Sequence, residues 1–279
     1  MGSPNSSPRS NLQLRVMSGV ILGALVLVLT WLGGLPFRLM AAAMAGAVFH
    51  EWYSMHKTVL SGSHAWAAAG ALAASMILML VGQPIAVLFP VLAGAFAVLA
   101  VHGWLTGAGA VGAGGFAYAA APTVALVLLR ADDQPGLVAI LFLFSVVWTT
   151  DIMAYFTGRA LGGAKLAPSI SPGKTWSGAM GGTVFAVLAG VAFVWHDSAV
   201  PGVTLMAVLS FVLAVVSQLG DLFESALKRR RGVKDSGSLI PGHGGVMDRV
   251  DGLLAAAAVL YLLSALLGWP EMPAHALFR

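Results

Sequence analysis

The stretch from Ser217 to Gly252 reads SQLGDLFESALKRRRGVKDSGSLIPGHGGVMDRVDG and concentrates groups suited to handling phosphate. On a helix, Asp221, Ser225 and Lys228 fall at i, i+4 and i+7 and share one face, with Gln218 a turn earlier and Glu224 beside them. Four consecutive cations, Lys228 to Arg231, end that helix. Lys234, Asp235 and a turn of Pro241, Gly242, His243, Gly244 and Gly245 follow. The next helix opens with Asp248, Arg249 and Asp251, the two aspartates one turn apart. A polyphosphate needs its charge neutralised, and Mg²⁺ takes carboxylate and hydroxyl oxygens. Asp221 and Asp248 can supply these from two helices, with Ser225 beside the first. Two metals would bridge attacking and leaving oxygens in line. Lys228, Arg229 and Lys234 can hold phosphate oxygens that metal does not reach. The glycine-rich turn can bring backbone N–H groups to an anion at a helix N-terminus.

Each feature also has a plain structural reading. A basic cluster at a membrane helix end anchors topology. Asp248 and Asp251 can cap a helix, and the glycines can form only a turn. Their conjunction in one short segment favours phosphate chemistry.

Two further stretches carry polar groups. From Trp148 to Gly182, Asp151 and Tyr155 lie at i, i+4 in an apolar helix, with Arg159 a turn beyond. Asp151 and Arg159 suit an intramembrane ion pair as well as a site. In the following loop, Lys165 to Thr175, Ser171 and Lys174 suit contact with nucleotide or lipid phosphate. The third stretch, Phe49-His50-Glu51-Trp52-Tyr53, reads as an interfacial belt rather than a catalytic element. His102 and His196 read as interfacial too. Gly173-Lys174-Thr175 is not a P-loop, because Pro168 stands where its first glycine belongs. His50-Glu51 is not a zincin motif, because Ser54 replaces the second histidine.

The elements that must position these groups are membrane helices. Of the 279 residues, 58% are hydrophobic and 9% charged, against roughly 25% charged in soluble domains. Apolar runs recur from end to end, so lipid is the solvent for most of the chain. The expected fold is all-α: a polytopic transmembrane helical bundle of about nine spans, near residues 16–33, 36–55, 65–82, 84–105, 110–130, 136–160, 178–196, 202–227 and 248–268. The fifth is the weakest, because Gly107 to Gly115 is glycine-rich. Residues 1–14 read as a disordered cytoplasmic tail, 15–135 as N-terminal transmembrane helices and 136–279 as the catalytic transmembrane region. With nine spans, all of the 15 Lys and Arg except Arg38, Arg130 and Arg279 share a side with the N-terminus. That side should be cytoplasmic. The absence of cysteine removes disulfides, thiolate metal sites and cysteine nucleophiles. The cations lie in short loops between spans, which fits topology and phosphate binding and not nucleic acid.

The run from Ser225 to Asp251 resembles the signature of the phosphatidate cytidylyltransferases, or CDP-diacylglycerol synthases. The matching residues are Ser225, Lys228, Arg229, Lys234, Asp235, Gly237, Pro241, His243, Gly244, Gly245, Asp248, Arg249 and Asp251. The Asp151-x-x-Ala154-Tyr155 helix and the Ser171-Pro172-Gly173-Lys174-Thr175 loop resemble the same family, which would place an acidic residue at Ser177. The resemblance implies CTP and phosphatidic acid as substrates and CDP-diacylglycerol and pyrophosphate as products. It implies Asp221, Asp248, Ser225 and Lys228 as catalytic, and Mg²⁺ on Asp221, Asp248, Ser225 and Asp251, with a second cation such as K⁺. It places Arg229, Lys234, Asp235, His243, Gly244, Gly245, Arg249, Ser171 and Lys174 on the substrates. It suggests a homodimer, and the lack of a transit segment suggests a bacterial inner membrane. A phosphate monoester is already ionised near neutral pH, so His243 is expected to bind phosphate or order the loop rather than act as a base. The alternatives are a CTP-dependent lipid kinase, a related CDP-lipid synthase, or a transporter. A transporter would carry ionisable groups near the midplane of several helices, whereas here they cluster in one part of the chain.

Overall fold

The computed structural model describes residues 8–60, 62–196, 202–240, 244–268 and 270–278. Among these residues the chain forms nine α-helices: α1 (Pro8–Leu32), α2 (Gly34–His56), α3 (Gly62–Leu80), α4 (Ile85–Leu105), α5 (Val111–Arg130), α6 (Gln134–Leu161), α7 (Trp176–His196), α8 (Val203–Arg230) and α9 (Met247–Leu267). Each coincides with one expected span. Helices α3 to α9 are long and apolar enough to cross a membrane, and α1 contributes a shorter apolar stretch, Val16–Leu32. Helix α1 takes in residues 8–14 of the expected tail. The architecture is an all-α polytopic bundle.

Much of its outer surface is apolar. Trp66, Trp104 and Leu266 are about four-fifths exposed, which is stable only where the surroundings are lipid. The interior is filled by Phe116, Phe142, Leu143, Met206, Leu213 and Leu260. The chain's end, a 3-10 turn at Pro273–Ala276, tucks Phe278 against Phe142 with ring centroids 5.4 Å apart.

Helix α5 is the most buried of the seven, not the weakest. Its glycines allow this. Gly112 packs on the His64 ring and Gly115 on Trp52, and a methyl group at either would strike those rings. In lipid, close approach of backbones replaces the hydrophobic effect as the source of cohesion. The same device joins α6 to α7. A Cβ at Gly178 would lie 2.7 Å from the Ala154 carbonyl oxygen, and one at Gly182 would lie 2.6 Å from that of Thr150. His102 is not merely interfacial: its Nδ1 meets His64 Nδ1 at 2.8 Å. The His196 side chain lies outside the described residues.

A two-stranded antiparallel hairpin interrupts the helices between α6 and α7. Its strands are β1 (Lys165–Ala167) and β2 (Ser171–Thr175), with Lys165 opposite Thr175 and Ala167 opposite Ser171. Strands this short, one holding Pro172 and Gly173, show no period-2 pattern, so the sequence suggested only a loop.

Two of the exceptions to the charge rule are structural, at the end of the bundle away from the hairpin. Arg130 is buried, and its Nε donates to the Thr30 carbonyl at 2.6 Å while Nη2 donates to that of Trp31 at 3.2 Å, closing the end of α1. Arg38 pairs with Asp132 at 3.0 Å.

Candidate functional site

At the hairpin end, the final turns of α6 and α8 meet the first turns of α7 and α9. Between them opens a cavity of about 790 Å³. Asp151, Tyr155 and Arg159 of α6, Lys165 and Lys174 of the hairpin, Gln218 and Asp221 of α8, and Asp248, Arg249 and Asp251 of α9 line it. Four carboxylates thus face one space together with four cations and the hydroxyl-bearing Tyr155 and Thr175. The residues come from chain positions 151 to 251, which only the folded bundle brings together.

Helix α8 supplies two linked polar sets. On the cavity side, Lys174 Nζ lies 2.5 Å from Asp221 Oδ2, and the Ser225 hydroxyl donates to Asp221 Oδ1 at 3.3 Å. One turn further on, Lys228 Nζ lies 2.8 Å from Glu224 Oε2 and 2.5 Å from Asp248 Oδ1. Glu224 is fully buried. Lys228 therefore joins α8 to α9 by neutralising two carboxylates, only one of which the sequence had singled out. Glu224 was legible as the i, i+4 partner of a lysine inside an apolar helix.

Asp248 is heavily engaged. Besides Lys228, its carboxylate accepts the Ser236 N–H at 3.0 Å and the Gly245 N–H at 2.9 Å. The second bond reaches back three residues, as the acid of a capping box does. The turn before α9 also closes on itself, with the Ile240 N–H donating to the Gly244 carbonyl at 2.9 Å and Gly244 at a φ of 83°. That φ favours glycine. His243, with Pro241 and Gly242, lies outside the described residues.

Glu51 overturns the interfacial reading of the third polar stretch. It is 1% exposed. It accepts the Ser236 hydroxyl at 2.9 Å, the Val246 N–H at 2.9 Å and the Met247 N–H at 2.8 Å. The backbone donors at the start of α9, expected to meet an external anion, meet Glu51 instead. The cost of placing a carboxylate in an apolar span was the signal for it.

Other expectations resolve plainly. Arg159 donates to the Tyr155 hydroxyl at 2.9 Å, and among the described residues no ion pair joins it to Asp151. Asp151 faces the cavity, so it joins the candidate site. Arg229 donates to the Ile170 carbonyl at 3.2 Å and ties the end of α8 to the hairpin. Ser171 opens β2, and Lys234 and Asp235 lie on the exposed loop after α8; none of the three lines the cavity. Ser177, where the resemblance implied an acid, donates to the Gly162 carbonyl and meets Thr175 Oγ1 at 3.0 Å. It fastens the hairpin to the end of α6. Ser177→Ala should lower thermal stability by about 1 kcal/mol and speed proteolysis of residues 163–175; an unchanged digestion pattern would count against the fastening role.

The donors facing the cavity are oxygens, and no histidine or thiol lines it. Such a set suits a hard cation such as Mg²⁺. Asp221 and Asp251 are the more available pair: Asp248 is bonded to the buried Lys228 and two N–H groups, whereas Asp221 is bonded to Ser225 and to the more exposed Lys174, which a cation can displace. Among the described residues, no three acidic or histidine side chains already converge closely enough to hold a metal.

A sequence profile described as the cytidylyltransferase family matches residues 13–267. Proteins named phosphatidate cytidylyltransferase from Brucella suis biovar 1 and Brucella melitensis biotype 1 are each 47% identical over 272 residues, covering 96% of this chain and 99% of theirs. One of the same name from Rickettsia bellii is 31% identical over 265 residues, covering 92% of this chain and 93% of its own.

Proposed function

The chain belongs to the cytidylyltransferase family, and from that premise we infer that it transfers CMP from CTP to phosphatidic acid, giving CDP-diacylglycerol and pyrophosphate. The observation that carries this reading is the single cavity in which Asp151, Asp221, Asp248 and Asp251 face Lys165, Lys174, Arg159 and Arg249. A site for two anionic substrates needs both signs: cations to bind each phosphate, and carboxylates to retain the counter-ion that lets two anions approach.

An oxygen of the lipid phosphate attacks the α-phosphorus of CTP. The bond from that phosphorus to the oxygen bridging the α- and β-phosphates breaks, and pyrophosphate departs with the electron pair. The attacking oxygen carries no proton near neutral pH, so no base is required. Asp221 and Asp251 would hold Mg²⁺, with Asp248 and Ser225 adjoining, and the ion supplies charge neutralisation of the triphosphate. A second cation such as K⁺ could share this acidic face. Lys174 bridges the hairpin to Asp221 and can turn to a phosphate oxygen. Arg159 and Lys165 line the same cavity and can meet phosphate oxygens. Arg229 holds the hairpin that carries Lys174. Catalysis is then mainly positioning and electrostatic stabilisation.

The cavity belongs on the cytoplasmic face, where CTP is available, with the N-terminus on the same side. Counting α1 and α2 both as spans or both as outside the bilayer leaves the orientation of α3 to α9 unchanged. A bacterial inner membrane and a homodimer fit this reading, and the small-residue helix faces permit helix pairing.

The test is purified protein with α-labelled CTP and phosphatidic acid, with and without Mg²⁺. Metal-dependent label in the lipid fraction, with pyrophosphate released, is the expected result. Transfer of only the γ-phosphate would make the protein a CTP-dependent lipid kinase. No turnover with any lipid phosphate would return the transporter reading.

A further inference from the structure

Glu51 does not line the cavity. Its position still bears on the reaction above. It sits at the end of α2, and its three donors all belong to the segment joining α8 to α9. Val246 and Met247 carry two of the first N–H groups of α9, which have no partner within the helix. A carboxylate there also meets the positive end of the helix dipole. The loop wraps closely around it. A Cβ at Gly237 would lie 2.7 Å from Glu51 Oε1, and one at Gly245 would lie 2.8 Å from Glu51 Cδ. Glycine on both sides lets the backbone close on the carboxylate.

The next residue after Met247 is Asp248. Ser236 is held twice, its hydroxyl by Glu51 at 2.9 Å and its N–H by Asp248 at 3.0 Å. Gly245 packs on Glu51 and donates to Asp248. Two carboxylates, one from α2 and one from α9, therefore grip the same loop. An interfacial anchor would leave Glu51 in contact with water, and it is 1% exposed.

We propose that Glu51 is a positioning residue for CMP transfer: by clamping Ser236, Val246 and Met247 it sets the first turn of α9, and with it the direction of Asp248 and Asp251 into the cavity. The proposal rests on the reading of that cavity as the site of CTP and lipid. It makes α2, outside the signature segment, a part of the active site.

The test uses the full chain in detergent or lipid nanodiscs. Glu51→Gln keeps the shape but turns an NH₂ toward N–H donors. Ser236→Ala removes one of the three bonds and keeps the carboxylate. Three quantities are measured: kcat and KM for CTP, the thermal midpoint, and amide exchange over residues 236–250. Glu51→Gln should lower kcat by about 100-fold, the scale of a misplacement near 1 Å, with KM for CTP changed less than about threefold. Ser236→Ala should lower kcat by about tenfold, the loss of one hydrogen bond to a charged group. Exchange over 236–250 should quicken in both, with α3 and α4 unaffected. A lower midpoint with wild-type kcat would overturn the proposal, since Glu51 would then only stabilise. Unchanged exchange over 236–250 would overturn it as well. If Glu51→Gln does not fold, Ser236→Ala decides alone. If the wild type itself transfers no CMP, the functional reading fails, while the exchange comparison still decides whether Glu51 sets the loop.

Discussion

Asp248→Asn should lower CMP transfer by roughly 10³-fold, equivalent to about 4 kcal/mol of transition-state stabilisation. Two effects combine. The change removes a negative charge from the acidic face of the cavity, where charge acts with little screening. It also sets an amide NH₂ against donors. Asp248 accepts from Lys228, Ser236 and Gly245 with its two oxygens, and asparagine has one oxygen, so a donor must face a donor. The loop and the first turn of α9 then shift together. Insertion should be unaffected, because the change removes a charge from the span Met247–Leu267 and adds none. Steady-state kinetics on equal amounts of folded protein give the measurement. Activity within tenfold of wild type would remove Asp248 from the catalytic machinery.

Lys228→Met should cost the fold as well as the reaction. Lys228 is the shared counter-charge of Glu224 and Asp248, whose side chains are 1% and 10% exposed. Removing one member of a buried ion set typically destabilises by about 3–5 kcal/mol, since the remaining charges stay buried and unpaired. The thermal midpoint in detergent should fall sharply, and CMP transfer should be lost. The double variant Lys228→Met/Glu224→Gln separates the two losses. It removes the more deeply buried of the two stranded charges and should recover part of the stability, but it leaves Asp248 without its cation, so turnover should stay low. Full recovery of activity in the double variant would show that Lys228 serves the fold alone. An unchanged midpoint in the single variant would show that the three groups are not coupled.

The apolar spans were legible because an apolar run near 20 residues long has few other uses. Asp221, Asp248 and Asp251 were legible because polar residues among apolar ones are costly and must be justified, and Lys174 because a cation in that loop suits phosphate. The same argument applied to Glu51, yet aromatic neighbours made an interfacial belt the simpler account. Only the folded chain shows that its donors come from the opposite end of the sequence. For Asp151 an ion pair with Arg159 and a place in a site stayed equally open, because spacing puts Arg159 nearby without saying that it turns to Tyr155. Lys228 was expected to hold phosphate, and Glu224, placed beside it by the sequence but given no role, shares it with Asp248. The hairpin left no periodic trace. Glycines in α5 suggested weakness by helix propensity, but packing against Trp52 and His64 decides the outcome inside a membrane.

The contact between Glu51 and Ser236 spans 185 residues of chain. At synthesis rates of about 5–20 residues per second, roughly ten to forty seconds separate the emergence of the two residues. During that interval α2 holds a carboxylate in an apolar helix with none of its eventual donors made. The nascent protein therefore carries a marker of incompleteness that disappears only when the segment before the last helix arrives. A chain truncated at the end of α8 would keep that exposed acid, a feature by which a membrane protease could tell unfinished copies from finished ones.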